Sequence, residues 1–295
     1  MIMKTKKWIF LFTMMAGVSF FFTSCEKSDT GAKVSEEELA TAEDNALMET
    51  LLDDAINEAD LAVLTVDDWI YNSDGSTLKS ATVDSCPVIT VDHPDSTFWP
   101  KVITVDYGDL CVGLHDRTRS GKIIITITGR YMVPGSRRTV ELVDYYVDGV
   151  HVEGTRTTTN EGRNDAGNLV FSTILKDGKI TKNDTTIITR EYERYREWVA
   201  GEETRNRWDD VFFITGNGSG TTFCGHSYEM TITSPLERAR SCRFIKSGTV
   251  SITIDDNPPI TLDYGDGTCD NIATITNGDD TREIELGYHP RTCDN

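Results

Sequence analysis

The chain has 295 residues, 38% of them hydrophobic and 26% charged, and its 48 acidic side chains against 29 basic ones give a formal net charge of -19 at pH 7. A chain of this size can bury a core as one large or two small domains. Its negative charge repels phosphate backbones and anionic lipid, which argues against nucleic-acid binding and requires any membrane attachment to come from something other than charge.

The chain begins Met-Ile-Met-Lys-Thr-Lys-Lys, and an uncharged apolar run of 15 residues follows from Trp8 to Phe22. A basic start and a short apolar core make a secretory signal peptide, whereas a helix spanning a bilayer needs about 20 apolar residues. Phe22-Thr23-Ser24-Cys25 resembles the lipobox of bacterial lipoproteins, with Phe22 where the usual pattern has Leu. The resemblance implies that residues 1–24 are removed and Cys25 is acylated. The Phe- and Met-rich run and Ser24-Cys25-Glu26-Lys27-Ser28-Asp29 are similar to lipoproteins of the Bacteroidota. That likeness implies an outer-membrane protein, anchored in lipid through Cys25 and facing the periplasm or the cell surface.

Residues 26–79 hold 15 acidic and 3 basic side chains, net -12. Residues 25–80 therefore read as an acidic, water-soluble stalk. Part of it is helical by pattern: Ser35 with Glu38 forms a capping box, and Met48, Leu52, Ala55, Ala59 and Ala62 fall at helical spacing, widened by Leu47, Leu51 and Ile56. The helix is expected to end before Asp74-Gly75, and 72–80 reads as a linker.

From residue 81 to 295 the pattern becomes short β runs separated by turn dipeptides. Ile123, Ile125 and Ile127 alternate with polar residues, which predicts a strand with one face on a core. Three hairpins are predicted: Val140–Val147 with Val150–Thr159 around Asp148-Gly149, Asn168–Leu175 with Ile180–Arg190 around 176–179, and Ile272–Thr276 with Arg282–Leu286 around Asn277-Gly278. The expected fold is all-β, an antiparallel sandwich or meander preceded by a short N-terminal helix.

The chain also repeats itself. Ile103-Thr104-Val105-Asp106-Tyr107-Gly108-Asp109 recurs 157 residues later as Ile260-Thr261-Leu262-Asp263-Tyr264-Gly265-Asp266, with six of seven residues identical. A Ser-Cys pair precedes each copy and a cysteine follows it, so an internal duplication with units near 85–128 and 241–287 is expected. The second copy resembles the core signature of PKD domains, but the flanking pattern of that family is absent and the likeness is local. The body as a whole is similar to an uncharacterised group of Bacteroidota lipoproteins that carry Asp116-Arg117-Thr118-Arg119-Ser120-Gly121-Lys122 after the first element and Asp263 to Asn271 near the end. The resemblance implies localisation and architecture, not an activity.

Beyond Cys25, the six cysteines Cys86, Cys111, Cys224, Cys242, Cys269 and Cys293 suit an oxidising compartment. If each repeat is a hairpin whose ends meet, Cys86 pairs with Cys111 and Cys242 with Cys269, leaving Cys224 for Cys293. Asp263, Asp266 and Asp270 offer oxygens that could hold Ca²⁺, but without the spacing of a calcium-binding loop. The five histidines, His93, His115, His151, His226 and His289, show no zinc-binding spacing. No metal or other cofactor is expected.

Ser219 lies in a glycine tract without the nucleophile pattern G-x-S-x-G, and the tract reads as a hairpin loop. Arg190, Tyr192, Arg194, Arg196 and Trp198 share one face if extended, where they either bind a glycan or protein ligand or pair with neighbours on a water-exposed sheet. The expected function is a non-catalytic binding or structural module of the envelope. The competing expectation is a lipid-anchored carbohydrate-active hydrolase using a carboxylate pair.

Overall fold

The computed structural model describes residues 33–72, 86–92, 98–113, 116–182, 186–204 and 206–286. Cys25, Cys293 and the 1–24 signal segment lie outside them, as do the 73–80 linker and His93, His115 and His289. Helix α1 (Glu36–Asn72) is followed by β1 (Val88–Val91), β2 (Lys101–Val112), β3 (Thr118–Ile127), β4 (Arg137–Val147), β5 (Val150–Arg163), β6 (Leu169–Lys182) and β7 (Thr186–Ala200). The chain continues through β8 (Val211–Thr221), β9 (Ser227–Ala239), β10 (Ser247–Ile254), β11 (Ile260–Asp266), β12 (Ile272–Asn277) and β13 (Asp280–Glu285). The strands form a single antiparallel sheet in sequence order from β1 to β13. The meander is therefore observed, and the described residues form no second sheet facing it.

The capping box opens α1: the Glu38 N–H donates to Ser35 Oγ at 3.2 Å, and the Ser35 N–H donates to Glu38 Oε2 at 2.8 Å. The helix then runs 37 residues, longer than the short helix expected. It is not part of a solvated stalk. Between Thr41 and Val66 only Thr65 is exposed, because the sheet curls around the helix and buries it on several sides. Val34, Ala42 and Ala46 pack against residues of β8 to β13, while Leu47, Leu51, Ile56 and Val63 pack against residues of β2 to β8. Ala32–Asn295 is one compact unit, so the compositional change near residue 80 marks no domain boundary.

The acidic side chains of α1 find partners on the inward face of the sheet. Asp60, fully buried, is bound by Arg138 of β4, by Arg196 of β7 at 3.2 Å and by Arg240 just beyond β9 at 3.1 Å. One carboxylate thus meets three widely separated parts of the sheet, which requires the sheet to wrap the helix. Glu49 accepts from Arg190 at 2.8 Å and Arg194 at 2.6 Å. Burial works to raise both carboxyls, but the attraction of these arginines prevails and holds each at about 2.

Arg190, Tyr192, Arg194, Arg196 and Trp198 do share a face of β7, as their alternation requires, but that face is buried against the helix. Neither the exposed ligand surface nor the water-exposed pairing expected of them is realised. These arginines serve as counter-ions to α1.

A seam of irregularities bends the sheet. Pairing shifts register at Gly108 in β2, between Ser120 and Lys122 in β3, between Glu141 and Tyr145 in β4, between Glu153 and Thr155 in β5, and between Leu175 and Gly178 in β6. Bulges on adjacent strands increase twist and bend cumulatively. The expected turn at 176–179 is one of them: β6 runs straight through it, with Asp177 at φ +53°. An Asp-Gly pair supplies a left-handed residue for a bulge as readily as for a hairpin. The hairpin at Asp148-Gly149 forms as expected, and β12 and β13 form the third one with its turn a residue later, at Gly278-Asp279, because Asn277 pairs with Asp280. The glycine tract is likewise strand, not loop: Gly216, Gly218 and Gly220 lie on the inward-facing row of β8, where β7 backbone leaves no room for a Cβ, and Ser219 faces outward.

The two repeat copies sit toward opposite ends of the sheet with the same local geometry. In each, an Asp carboxylate accepts from the N–H two residues on, Gly108 to Asp106 at 2.9 Å and Gly265 to Asp263 at 2.8 Å, and the intervening Tyr107 or Tyr264 is buried. Disulfides Cys86–Cys111 and Cys242–Cys269 close the two units, each with Cα atoms 5.7 Å apart. Cys224 is also disulfide-bonded, while its expected partner Cys293 lies outside the described residues.

Candidate functional site

The wrapping leaves one stripe of α1 uncovered. Thr50, Asp54, Asn57, Glu58 and Leu61 recur at three- and four-residue intervals, which places them on one helix face, and this face floors an open cleft of about 310 Å³. Arg117 and Arg119 at the start of β3 form one wall, and Arg238, Arg240 and Arg243 at the end of β9 form the other. A short 3-10 turn, Arg207–Asp209, supplies the rim. The turn is tied internally: Asn206 Oδ1 accepts from the Trp208 N–H at 3.2 Å, and Thr204 Oγ1 donates to the Asp209 carboxylate at 2.9 Å. It presents Trp208 with 45% of its surface exposed.

Six arginines therefore line the cleft against two carboxylates, Asp54 and Glu58, in a protein whose net charge is strongly negative. Three of the six are committed to holding helix and sheet together. Arg119 grips Asp54 through two hydrogen bonds, at 2.9 and 2.7 Å, and lies 3.3 Å from Glu58. Arg238 pairs with Asp53 at 2.9 Å, and Arg240 with Asp60 and with Asp210 at 3.0 Å.

The other three are underused. Arg117, only 3% exposed, comes no nearer than 3.4 Å to Asp54 and 3.8 Å to Asp148, and its Nη1 has no hydrogen-bond partner. Burial and the neighbouring cations Arg243 and Arg119 pull its guanidinium below the ordinary value despite the attraction of Asp54. Arg243 reaches Asp148 at 3.6 Å, and Arg207, on the rim, forms no ion pair among the described residues. Arg240, though paired, also leaves its buried Nη1 unsatisfied. Both of these Nη1 atoms are closed off from solvent, so the cations that face the open cleft with charge least engaged are Arg207 and Arg243, the latter 44% exposed.

The two carboxylates of the cleft are themselves occupied. Glu58 Oε2 accepts from the Tyr107 hydroxyl at 2.8 Å, and burial raises its carboxyl above the ordinary value against the attraction of Arg119. Tyr107 belongs to the first repeat copy, which links that motif to the floor of the cleft.

The residues singled out from sequence fall elsewhere. The carboxylate of Asp263 accepts from the Gly265 N–H, Asp266 from the Thr268 N–H and Asp270 from the Ile272 N–H, so each serves its own turn. Among the described residues, the one group of three or more His, Cys, Asp or Glu side chains with ligand atoms converging is instead Glu37, His226 and Asp255 at the surface. Asp255 and Glu37 lie 3.0 and 3.2 Å from His226 Nδ1. The histidines are scattered in sequence, and only the turn at 222–226 brings this one to the helix start.

The cleft arginines carried a signal in the sequence. Arg117-x-Arg119, Arg194-x-Arg196 and Arg238-x-Arg240 each place two cations on one face of a strand, opposite a helix with acids at 49, 53, 54, 58 and 60. Comparison with protein-family models, with curated proteins and with solved structures gave no match.

Proposed function

We propose that this chain is a lipid-anchored, non-catalytic module of the bacterial outer membrane that binds an anionic ligand in the arginine cleft. The observation that carries the reading is the pair Arg207 and Arg243, which line the cleft and, among the described residues, have no carboxylate nearer than the 3.6 Å contact of Arg243 with Asp148. The lipobox-like Phe22-Thr23-Ser24-Cys25 supports the anchor. The test is direct titration of the mature protein with inorganic sulfate and phosphate, followed by calorimetry. Binding that weakens steeply with added salt and is lost in Arg207→Ala/Arg243→Ala supports the reading; binding indifferent to both changes overturns it.

A second reading, a hydrolase with a carboxylate pair, has one observation in its favour. Glu58, with its raised carboxyl, lies in the same cleft as Asp54, as an acid and an anion would. Against it, both Asp54 oxygens are taken by Arg119. Turnover of a glycoside that disappears in Glu58→Gln would establish this reading over the first.

A further inference from the structure

The cleft contains more than charge, and its other groups narrow the ligand. Thr50, Asn57 and Asn206 offer neutral hydrogen-bonding groups, Leu61 offers an apolar patch, and Trp208 stands half-exposed at the rim on a turn tied by three side-chain hydrogen bonds, Thr204 to Asp209, the Asn206 N–H to Thr204 and the Trp208 N–H to Asn206. A volume of about 310 Å³ is at the small end of the range for ligand pockets, roughly 300 to 1,000 Å³. A site for a bare inorganic anion needs neither this room nor an aromatic plate.

Resting on the anionic-ligand reading, we propose that the occupant is an acidic saccharide of one or two rings. Its anionic group meets Arg207 and Arg243, its hydroxyls meet Asn57 and Asn206, and one ring face lies on Trp208. The reasoning is complementarity. The oxyanion supplies acceptors to the guanidinium groups of Arg207 and Arg243, the least engaged of the six. Amides exchange donors and acceptors with hydroxyls, and an aromatic face matches the C–H face of a pyranose. The anion is common to carboxylated, sulfated and phosphorylated sugars, and the three are separated by experiment: a carboxylate is planar and suits a single bidentate arginine, whereas the tetrahedral groups present three oxygens to several.

The experiment is calorimetric titration of the mature protein with methyl glucuronide, glucose 6-sulfate, glucose 6-phosphate, methyl glucoside, sodium sulfate, inorganic phosphate and adenosine monophosphate. One or more acidic sugars binding at least about tenfold more tightly than the bare anions and the neutral glycoside is the expected result, with the preferred sugar identifying the anion. Trp208→Ala should bring that sugar down to the affinity of the bare anion while leaving the anion itself unchanged, and Arg243→Ala should weaken both. Because Trp208 and Arg243 lie at the surface, unchanged circular dichroism and melting temperature of these variants establish that the fold is intact. Bare anions binding as tightly as acidic sugars, with no effect of Trp208→Ala, would overturn the saccharide and leave the anionic-ligand reading standing. Tighter binding of the mononucleotide would overturn the saccharide in the same way. Binding of neither anions nor acidic sugars would overturn both.

Discussion

Replacing Asp60 by Asn is the sharpest probe of how the helix is held. The substitution keeps the shape of the side chain and removes one charge from the contact of Arg138, Arg196 and Arg240, all of which are nearly inaccessible to water. Neutralising the carboxyl in place costs on the order of 2 kcal/mol, because the surrounding arginines hold it at about 2 against an ordinary 3.8. Asparagine adds an NH₂ group that faces cations, and it leaves guanidinium groups buried without a counter-ion, a change that typically costs on the order of 3 to 5 kcal/mol. That is a large part of the roughly 5 to 15 kcal/mol that a folded domain has. Urea unfolding at pH 7, followed by circular dichroism, measures it. The control is Asp106→Asn, which breaks the solvent-exposed pair with Lys122 at 2.8 Å and should cost less than about 1 kcal/mol. Equal effects of the two substitutions would refute the view that the buried ion pairs lock helix to sheet.

The same carboxylates set the acid limit of the fold: Glu49 and Asp60 are held at about 2, below their ordinary 4.5 and 3.8, so their stabilisation is complete above those values and lost as pH falls toward 2. Stability measured from pH 6 downward should fall most steeply below pH 4.5, only partly offset by Glu58, whose raised carboxyl acts with the opposite sign; a flat profile would contradict the assignment. Replacing Cys86 and Cys111 together by Ser should cost on the order of 3 kcal/mol, since the bridge closes a separation of 25 residues, and non-reducing peptide mapping should recover the Cys86–Cys111 and Cys242–Cys269 peptides. Gly121→Ala should destabilise by roughly 2 kcal/mol more than Gly149→Ala, because both glycines have positive φ but only at Gly121 does a Cβ fall 1.9 Å from the Asp144 carbonyl oxygen. Cys25→Ala should abolish labelling with radioactive palmitate and release the protein into the soluble envelope fraction, and continued partition with membranes would require another anchor.

The parts of the fold legible in the sequence are those governed by neighbours along the chain. The Ser35 and Glu38 capping box, the alternation through Ile123, Ile125 and Ile127, and the Asp148-Gly149 turn are local, and each appears where its pattern places it, while the turn between β12 and β13 falls one residue beyond its pattern. The repeat carried long-range information as well, because two copies with cysteines at matching offsets constrain each other, and the pairing of both repeat disulfides follows from that. Local chemistry failed where one dipeptide serves two geometries. Asp177-Gly178 gives the left-handed residue of a bulge inside β6, and what excludes a hairpin there is the continuous pairing of β6 with β5 and β7 on both sides, which no local pattern reveals.

That an acidic helix read as part of a solvated stalk lies buried has a more general cause. Fifteen acids in 54 residues repel one another in water, and a helix that carries them reads as exposed unless the compensating charge is brought into account. The compensation lies far along the chain, on strands whose arginines recur at intervals of two. Period-two arginines on a strand face, like period-two isoleucines, mark a side that meets something, and when the partner is an acidic helix the buried face is ionic rather than apolar. Matching the two patterns would have placed Glu49 and Asp60 inside, and it also predicts where a ligand can enter. Where cations and carboxylates balance, as around Asp60, the pairs close the interface. Where cations are less closely matched, as at Arg207 and Arg243, the proposed anionic ligand would supply the opposing charge. The cleft is thus the place where the helix-to-sheet charge matching stops short.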